Sequence, residues 1–161
     1  MNDFTHLDDR GHARMVDVTA KQPTVREATA EAFVVCVPFV VEALRGGGVP
    51  KGDAIAVARV AGIAAAKRTP ELLPLAHVIG VHGVTVDLDV EDDGVRIVAT
   101  CRTADRTGVE MEALHACSVA ALTIYDMCKS ADRAMTIGEL ALWEKSGGRS
   151  GTYRRADVDP V

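Results

Sequence analysis

Residues 81–90 read VHGVTVDLDV, an alternation that places Val84, Val86, Leu88 and Val90 on one side of an extended chain. Successive side chains of a strand point to opposite faces, so this period of two predicts a strand with one buried face. Glu91-Asp92-Asp93-Gly94 then reads as a turn, and Val95, Ile97, Ala99 and Cys101 resume the period. Two such runs across a short polar turn predict an antiparallel hairpin that is apolar on one side only.

Downstream of the hairpin, residues 108–130 (GVEMEALHACSVAALTIYDMCKS) predict a long helix and Met135 to Trp143 a last strand. A Gly- and Arg-rich tail runs from Lys145 to Val161. Upstream, Asp53 is placed to cap a helix reaching about Arg68, with Pro70 just beyond its end. Gly62 inside that helix costs ~1 kcal/mol against alanine, which close approach of another backbone would offset. Pro38 suits the first turn of a shorter helix that runs to about Arg45 and stops at Gly46-Gly47-Gly48. A stretch from Arg26 to Val37 ends in the strand-like Ala32-Phe33-Val34-Val35-Cys36-Val37, and Met15 to Thr19 is a short strand or an ordered extended segment.

The order is strand, helix, helix, hairpin, helix, strand. It predicts an α+β sandwich in which helices cover one face of an antiparallel sheet. A ferredoxin-like βαββαβ arrangement with an additional N-terminal helix or strand is the natural solution. Residues 1–14 lack apolar periodicity and read as a flexible arm, 15–153 as a single α+β domain, and 154–161 as a flexible tail.

Composition bounds the function. The chain has 161 residues, 48% of them hydrophobic but only 4% aromatic, so its core must be built from Val, Ile, Leu and Ala. Eighteen basic against 23 acidic side chains give a net charge of −5, which argues against a general nucleic-acid binder. The first 30 residues are too polar for a signal peptide. The longest apolar run, Phe33 to Val41, is broken by Pro38 and falls well short of the ~20 residues of a membrane helix. Cys36, Cys101, Cys117 and Cys128 are far apart with no C-x-x-C, and read as reduced, mostly buried thiols of a cytoplasmic protein.

Candidate chemistry concentrates on the long helix. At about 100° per residue, Glu112 and Asp126 fall within about 40° of one another, and Lys129 is one turn beyond Asp126. His115, Val119 and Leu122 lie between them. The stripe is either a core face reaching solvent at both ends, with Asp126–Lys129 a surface pair, or a functional face. Lys51 precedes a helix N-terminus, where backbone N–H groups favour an anion, or is an ordinary loop lysine. Lys145-Ser146-Gly147-Gly148-Arg149-Ser150-Gly151 is a loop able to wrap a phosphate, or a flexible tail; it lacks the Walker A spacing. His77 and His82 have no Cys or carboxylate at a zinc spacing, so no metal site is expected. G-x-S-x-G is absent as well.

Several motifs together go further: Met15-Val16-Asp17-Val18, Pro50-Lys51-Gly52-Asp53, Ala65-Ala66-Lys67-Arg68-Thr69, Pro74-Leu75-Ala76-His77, the run from Thr107 to Leu114, the run from Ser118 to Lys129, and Lys145-Ser146-Gly147-Gly148. In this order they closely resemble the MoaC family, the cyclic pyranopterin monophosphate synthases that act second in molybdenum-cofactor biosynthesis. The resemblance spans about Thr5 to Tyr153.

It implies a ferredoxin-like subunit in a homohexamer, a trimer of dimers, with active sites between subunits. It implies conversion of 3′,8-cyclo-7,8-dihydroguanosine 5′-triphosphate to cyclic pyranopterin monophosphate and pyrophosphate, a lyase reaction with no redox step, no cofactor and no metal assigned. By family match, Asp126, Lys129 and Lys51 are the catalytic set, with Asp126 expected as a buried carboxylate held ionised between lysines. Leu75, Ala76, His77, Glu110, Met111 and Glu112 are expected to line the ligand. Arg26, Lys67 and Lys145, with the two catalytic lysines, would offset the triphosphate charge. Two positions depart from the family pattern. Ala76 stands where cysteine is usual, removing a thiol, and His115 stands where a small residue such as threonine is usual, where it could shift the pKa of Glu112 or Asp126. The alternative is a purine-nucleotide-binding regulatory paralogue of the same fold, which would need the cations but not Asp126.

Overall fold

The computed structural model describes residues 7, 8 and 10–156. Strand β1 (Thr24–Val35) turns Ala28, Ala30, Ala32 and Val34 into the interior, with Glu27, Thr29 and Glu31 on the other face. It ends before Cys36 and Val37, earlier than the sequence predicts. Val37 instead becomes the extended residue before the proline that opens helix α1 (Pro38–Arg45). Asp53 caps α2 (Ala54–Lys67), its carboxylate accepting from the Ala56 N–H at 2.9 Å. Pro70 stands just beyond the end of α2, as the sequence predicts, and there opens a one-turn helix α3 (Thr69–Leu72).

The hairpin is formed by β2 (Gly83–Val90) and β3 (Gly94–Asp105), paired from Val90↔Val95 to Gly83↔Arg102. Then come α4 (Glu110–Cys128), β4 (Thr136–Ser146) and a two-residue β5 (Tyr153–Arg154). The sheet is antiparallel throughout, in the order β2-β3-β1-β4-β5. Its first four strands have the ferredoxin-like order that the element sequence predicts. The part called a tail is not loose over its first ten residues: it turns back, so that Tyr153 and Arg154 pair with Lys145 and Glu144. Met15 to Thr19 takes the second of its two predicted forms, an extended segment without a strand ladder.

Helix α4 lies over β1, β3 and β4, and α2 packs on β2 and α4. The residues α4 turns inward are mostly small: Ala113, Ala116, Cys117, Ala120, Ala121 and Ile124. This lets α2 approach closely. A Cβ on Gly62 would lie 2.9 Å from the Ala116 carbonyl oxygen, the backbone contact its glycine predicts. The four cysteines are buried and free. Burial pushes the thiols of Cys101 and Cys117 up to about 12 and that of Cys36 up to about 11, so all three stay un-ionised at neutral pH.

On the helix-free face, Glu27 pairs with Arg102, Thr29 Oγ1 meets Thr100 Oγ1 at 2.8 Å, and Arg96 bridges Glu91 and Glu31 while covering the Phe33 ring. Among the described residues no helix is long and apolar enough to cross a membrane.

Candidate active site

The candidate residues gather at the two ends of α4. At its N-terminal end a cavity of about 960 Å³ opens between three pieces of chain. One wall is Leu73 to His77, the segment leaving α3, with Ile79. The second is Thr107, Gly108, Glu110, Met111 and Glu112, the entrance to α4. The third is the extended N-terminal segment, through Ala13, Val16, Val18 and Lys21. Six expected ligand contacts, Leu75, Ala76, His77, Glu110, Met111 and Glu112, therefore share one cavity although more than thirty positions separate the two groups.

Glu112 is 3% exposed. Burial, together with the charge of Glu110, raises its carboxyl to about 7 against the pull of its own backbone N–H. Such a carboxyl can give or take a proton at neutral pH. His77 lies across the cavity with Nε2 2.6 Å from the Val16 carbonyl oxygen.

Three expected cations sit around this end rather than inside the cavity lining. Lys145 is largely buried, bonds Ser150 Oγ, and lies 3.9 Å from Glu110 Oε1. Arg26 donates to the carbonyls of Asp105 and Arg106 at 2.9 and 3.2 Å. A Cβ on Gly148 would strike its guanidinium, so the loop Lys145–Gly151 folds directly over Arg26. Gly147, Gly148 and Gly151 all have left-handed φ there. Lys67, the last residue of α2, is exposed and does not line the cavity.

The other end of α4 holds Asp126 between two lysines. Lys129 Nζ donates to Oδ1 at 2.5 Å, and Lys51 Nζ donates to Oδ2 at 3.0 Å and to the Asp126 carbonyl oxygen at 2.7 Å. These bonds, that of Lys129 foremost, hold the carboxyl below its ordinary value. The expectation of a buried carboxylate is corrected here: the Asp126 side chain is 57% exposed. Lys51 reaches Asp126 rather than facing an open helix N-terminus, where Asp53 already accepts from the Ala56 N–H.

The stripe from Glu112 to Asp126 is not a core face either. Leu122 on it is 58% exposed, and the core face of α4 is the adjacent alanine- and cysteine-rich side. His115 turns away from both acids. Its Nδ1 is 3.2 Å from the Thr69 hydroxyl, and burial lowers its pKa. It is not among the groups that shift Glu112 or Asp126. His82 accepts from the Ala104 N–H, and among the described residues no three His, Cys, Asp or Glu side chains cluster as for a metal.

Sequence reasoning missed the third wall. Lys21, a cation on the cavity, and Arg106, whose Nε donates to the Lys21 carbonyl at 3.1 Å, belong to no periodic pattern. The available signals were the alternation of Val16 and Val18 and the family motif Met15–Val18, and neither assigns the segment a place on the ligand.

The family model described as "MoaC family" matches residues 15–148. A cyclic pyranopterin monophosphate synthase of Streptomyces griseus is 58% identical over 154 residues, covering 96% of this chain and 87% of the relative. Cyclic pyranopterin monophosphate synthase 1 of Mycobacterium tuberculosis is 56% identical, covering 97% and 92%. Synthase 3 of Mycobacterium bovis is 56% identical, covering 99% and 93%. With identity this high over nearly the full length of each relative, the chain belongs to the MoaC family.

Proposed function

We propose that this chain is a cyclic pyranopterin monophosphate synthase of molybdenum-cofactor biosynthesis, a lyase releasing pyrophosphate from 3′,8-cyclo-7,8-dihydroguanosine 5′-triphosphate. The observation that carries the reading is the seating of Leu75–His77 opposite Met111–Glu112 across one cavity of nucleotide size.

The chemistry needs proton transfers and one phosphoryl transfer. Ring opening and reclosure require a group that can exchange protons near neutrality, which Glu112 supplies at about 7. Closing the cyclic phosphate forms a bond from a sugar hydroxyl to the α-phosphorus and breaks the bond from that phosphorus to the β-phosphate bridging oxygen. The hydroxyl proton passes to a base, and pyrophosphate leaves with the electron pair. The triphosphate carries close to four negative charges, so cations must face it; Lys51, Lys129, Lys145, Arg26, Lys67 and Lys21 are the candidates. Asp126, held ionised by two lysines, serves as the base or as their positioner.

Asp126 and Glu112 stand 14 residues apart on one helix, about 21 Å at 1.5 Å per residue, too far to act on one small substrate. This supports a site completed by a second copy, whose Lys51–Asp126–Lys129 end faces the cavity of the first. A homohexamer built as a trimer of dimers, in the cytoplasm and with residues 15–153 as the catalytic domain, fits that requirement.

The test is turnover of freshly made substrate by the purified chain, followed as cyclic pyranopterin monophosphate and pyrophosphate. Product from the parent and none from Asp126→Asn supports the reading. Tight binding without product would favour the regulatory paralogue instead.

A further inference from the structure

The third wall of the cavity carries a device that the proposed catalytic set does not include. Val16 and Val18 face the cavity half-buried, and Asp17 between them points to solvent. Asp17 Oδ1 accepts from the Thr19 N–H at 2.8 Å, closing a turn of the kind aspartate makes with the backbone two residues on. The Lys21 N–H then bonds the Val18 carbonyl at 3.0 Å, and Arg106 pins the Lys21 carbonyl. The segment is thus held on the C-terminal side of the Val16 carbonyl, which meets His77 Nε2 at 2.6 Å. A carbonyl oxygen only accepts, so Nε2 carries the hydrogen. In the neutral ring, Nδ1 is then the nitrogen with a free lone pair.

We propose that Asp17 is a positioning residue: through its turn it holds the Val16 carbonyl against His77, so that the imidazole meets the substrate with Nδ1 as a proton acceptor. The inference rests on the functional reading above for the identity of that substrate. Asp17 itself touches no reacting atom.

The test combines histidine 15N spectra with kinetics on the full chain. Loss of signals in His77→Gln assigns the His77 ring. The parent should show the Nε2–H tautomer. Asp17→Ala should mix the tautomers and lower kcat/KM on the order of tenfold, less than the ~10²-fold of a 1 Å misplacement. Asp17→Asn keeps an acceptor oxygen for Thr19 and should restore both readouts. Thr19→Pro removes the donor instead and should repeat the alanine effect, which provides a second route if Asp17→Ala fails to fold. In a His77→Gln background, Asp17→Ala should cost nothing further. An unchanged tautomer in Asp17→Ala and Thr19→Pro, or an equal loss with and without His77, overturns the proposal. The spectrum needs no turnover, so an inactive parent would sink the functional reading while the tautomer still decides the positioning role.

Discussion

Glu112 and Asp126 lie on one helix about 21 Å apart, the first 3% exposed in a cavity and the second 57% exposed between two lysines. On the proposed reading, one site draws them from different copies. Mixing two inactive variants, Asp126→Asn and Glu112→Gln, should recover activity, because some sites pair an intact cavity with an intact Asp126. Random pairing gives about a quarter of parental turnover per site. No recovery in subunit-exchanged mixtures would place the whole site within one chain.

Removing Lys51 or Lys129 should separate chemistry from folding. Both side chains are about half exposed, and exposed ion pairs contribute only ~0–1 kcal/mol to stability. Lys51→Ala and Lys129→Ala should melt near the parent while losing at least ~10²-fold in kcat. A large drop in melting temperature would make the cluster structural.

The raised Glu112 carboxyl predicts a sign for stability against pH. The folded protein holds a proton up to about 7 that the unfolded chain releases near 4.5. This group's contribution is therefore full below about 4.5 and is lost as pH rises through 7, by up to about 3 kcal/mol. Glu112→Gln should flatten that slope, raising stability at pH 8 relative to the parent while impairing turnover. Urea midpoints at about pH 5 and 8 check it; a parent more stable at the higher pH by this group's account, with no change in the variant, contradicts it.

Gly148→Ala should act on substrate binding. Its left-handed φ costs roughly 1–2 kcal/mol with a Cβ, and that Cβ would collide with Arg26 Nη1. The guanidinium must shift, so KM for the triphosphate should rise several-fold. An unaltered KM would remove Arg26 and its loop from the anion site.

Gly62→Ala tests the α2–α4 contact. Alanine gains ~1 kcal/mol of helix propensity, yet its Cβ meets the Ala116 carbonyl oxygen at 2.9 Å and Val86 Cγ2 at 3.2 Å. Backbone cannot yield as a side-chain tip does, so a net loss of roughly 1–3 kcal/mol is expected in denaturant unfolding. A stabilised variant would show that the helices can move apart freely.

Local pattern determined much of this protein. The period of two in β2 and β3, Pro38 and Asp53 at the starts of α1 and α2, and the span of α4 all follow from side-chain preferences acting within a few residues. The family motifs also named the residues around the cavity, since Leu75–His77 and Met111–Glu112 are contiguous stretches. Tertiary structure decided what those residues experience. Helical spacing put Glu112 and Asp126 on one stripe, but only packing made one nearly buried and the other open to water, since burial depends on which strands and helices cover each end. Likewise, nothing local distinguishes Met15–Thr19 from a strand. The segment becomes a cavity wall because its Val16 carbonyl finds His77 and its Lys21 carbonyl finds Arg106, partners 61 and 85 positions away. Contacts at such separation are set by the path of the whole chain, which no window of sequence contains.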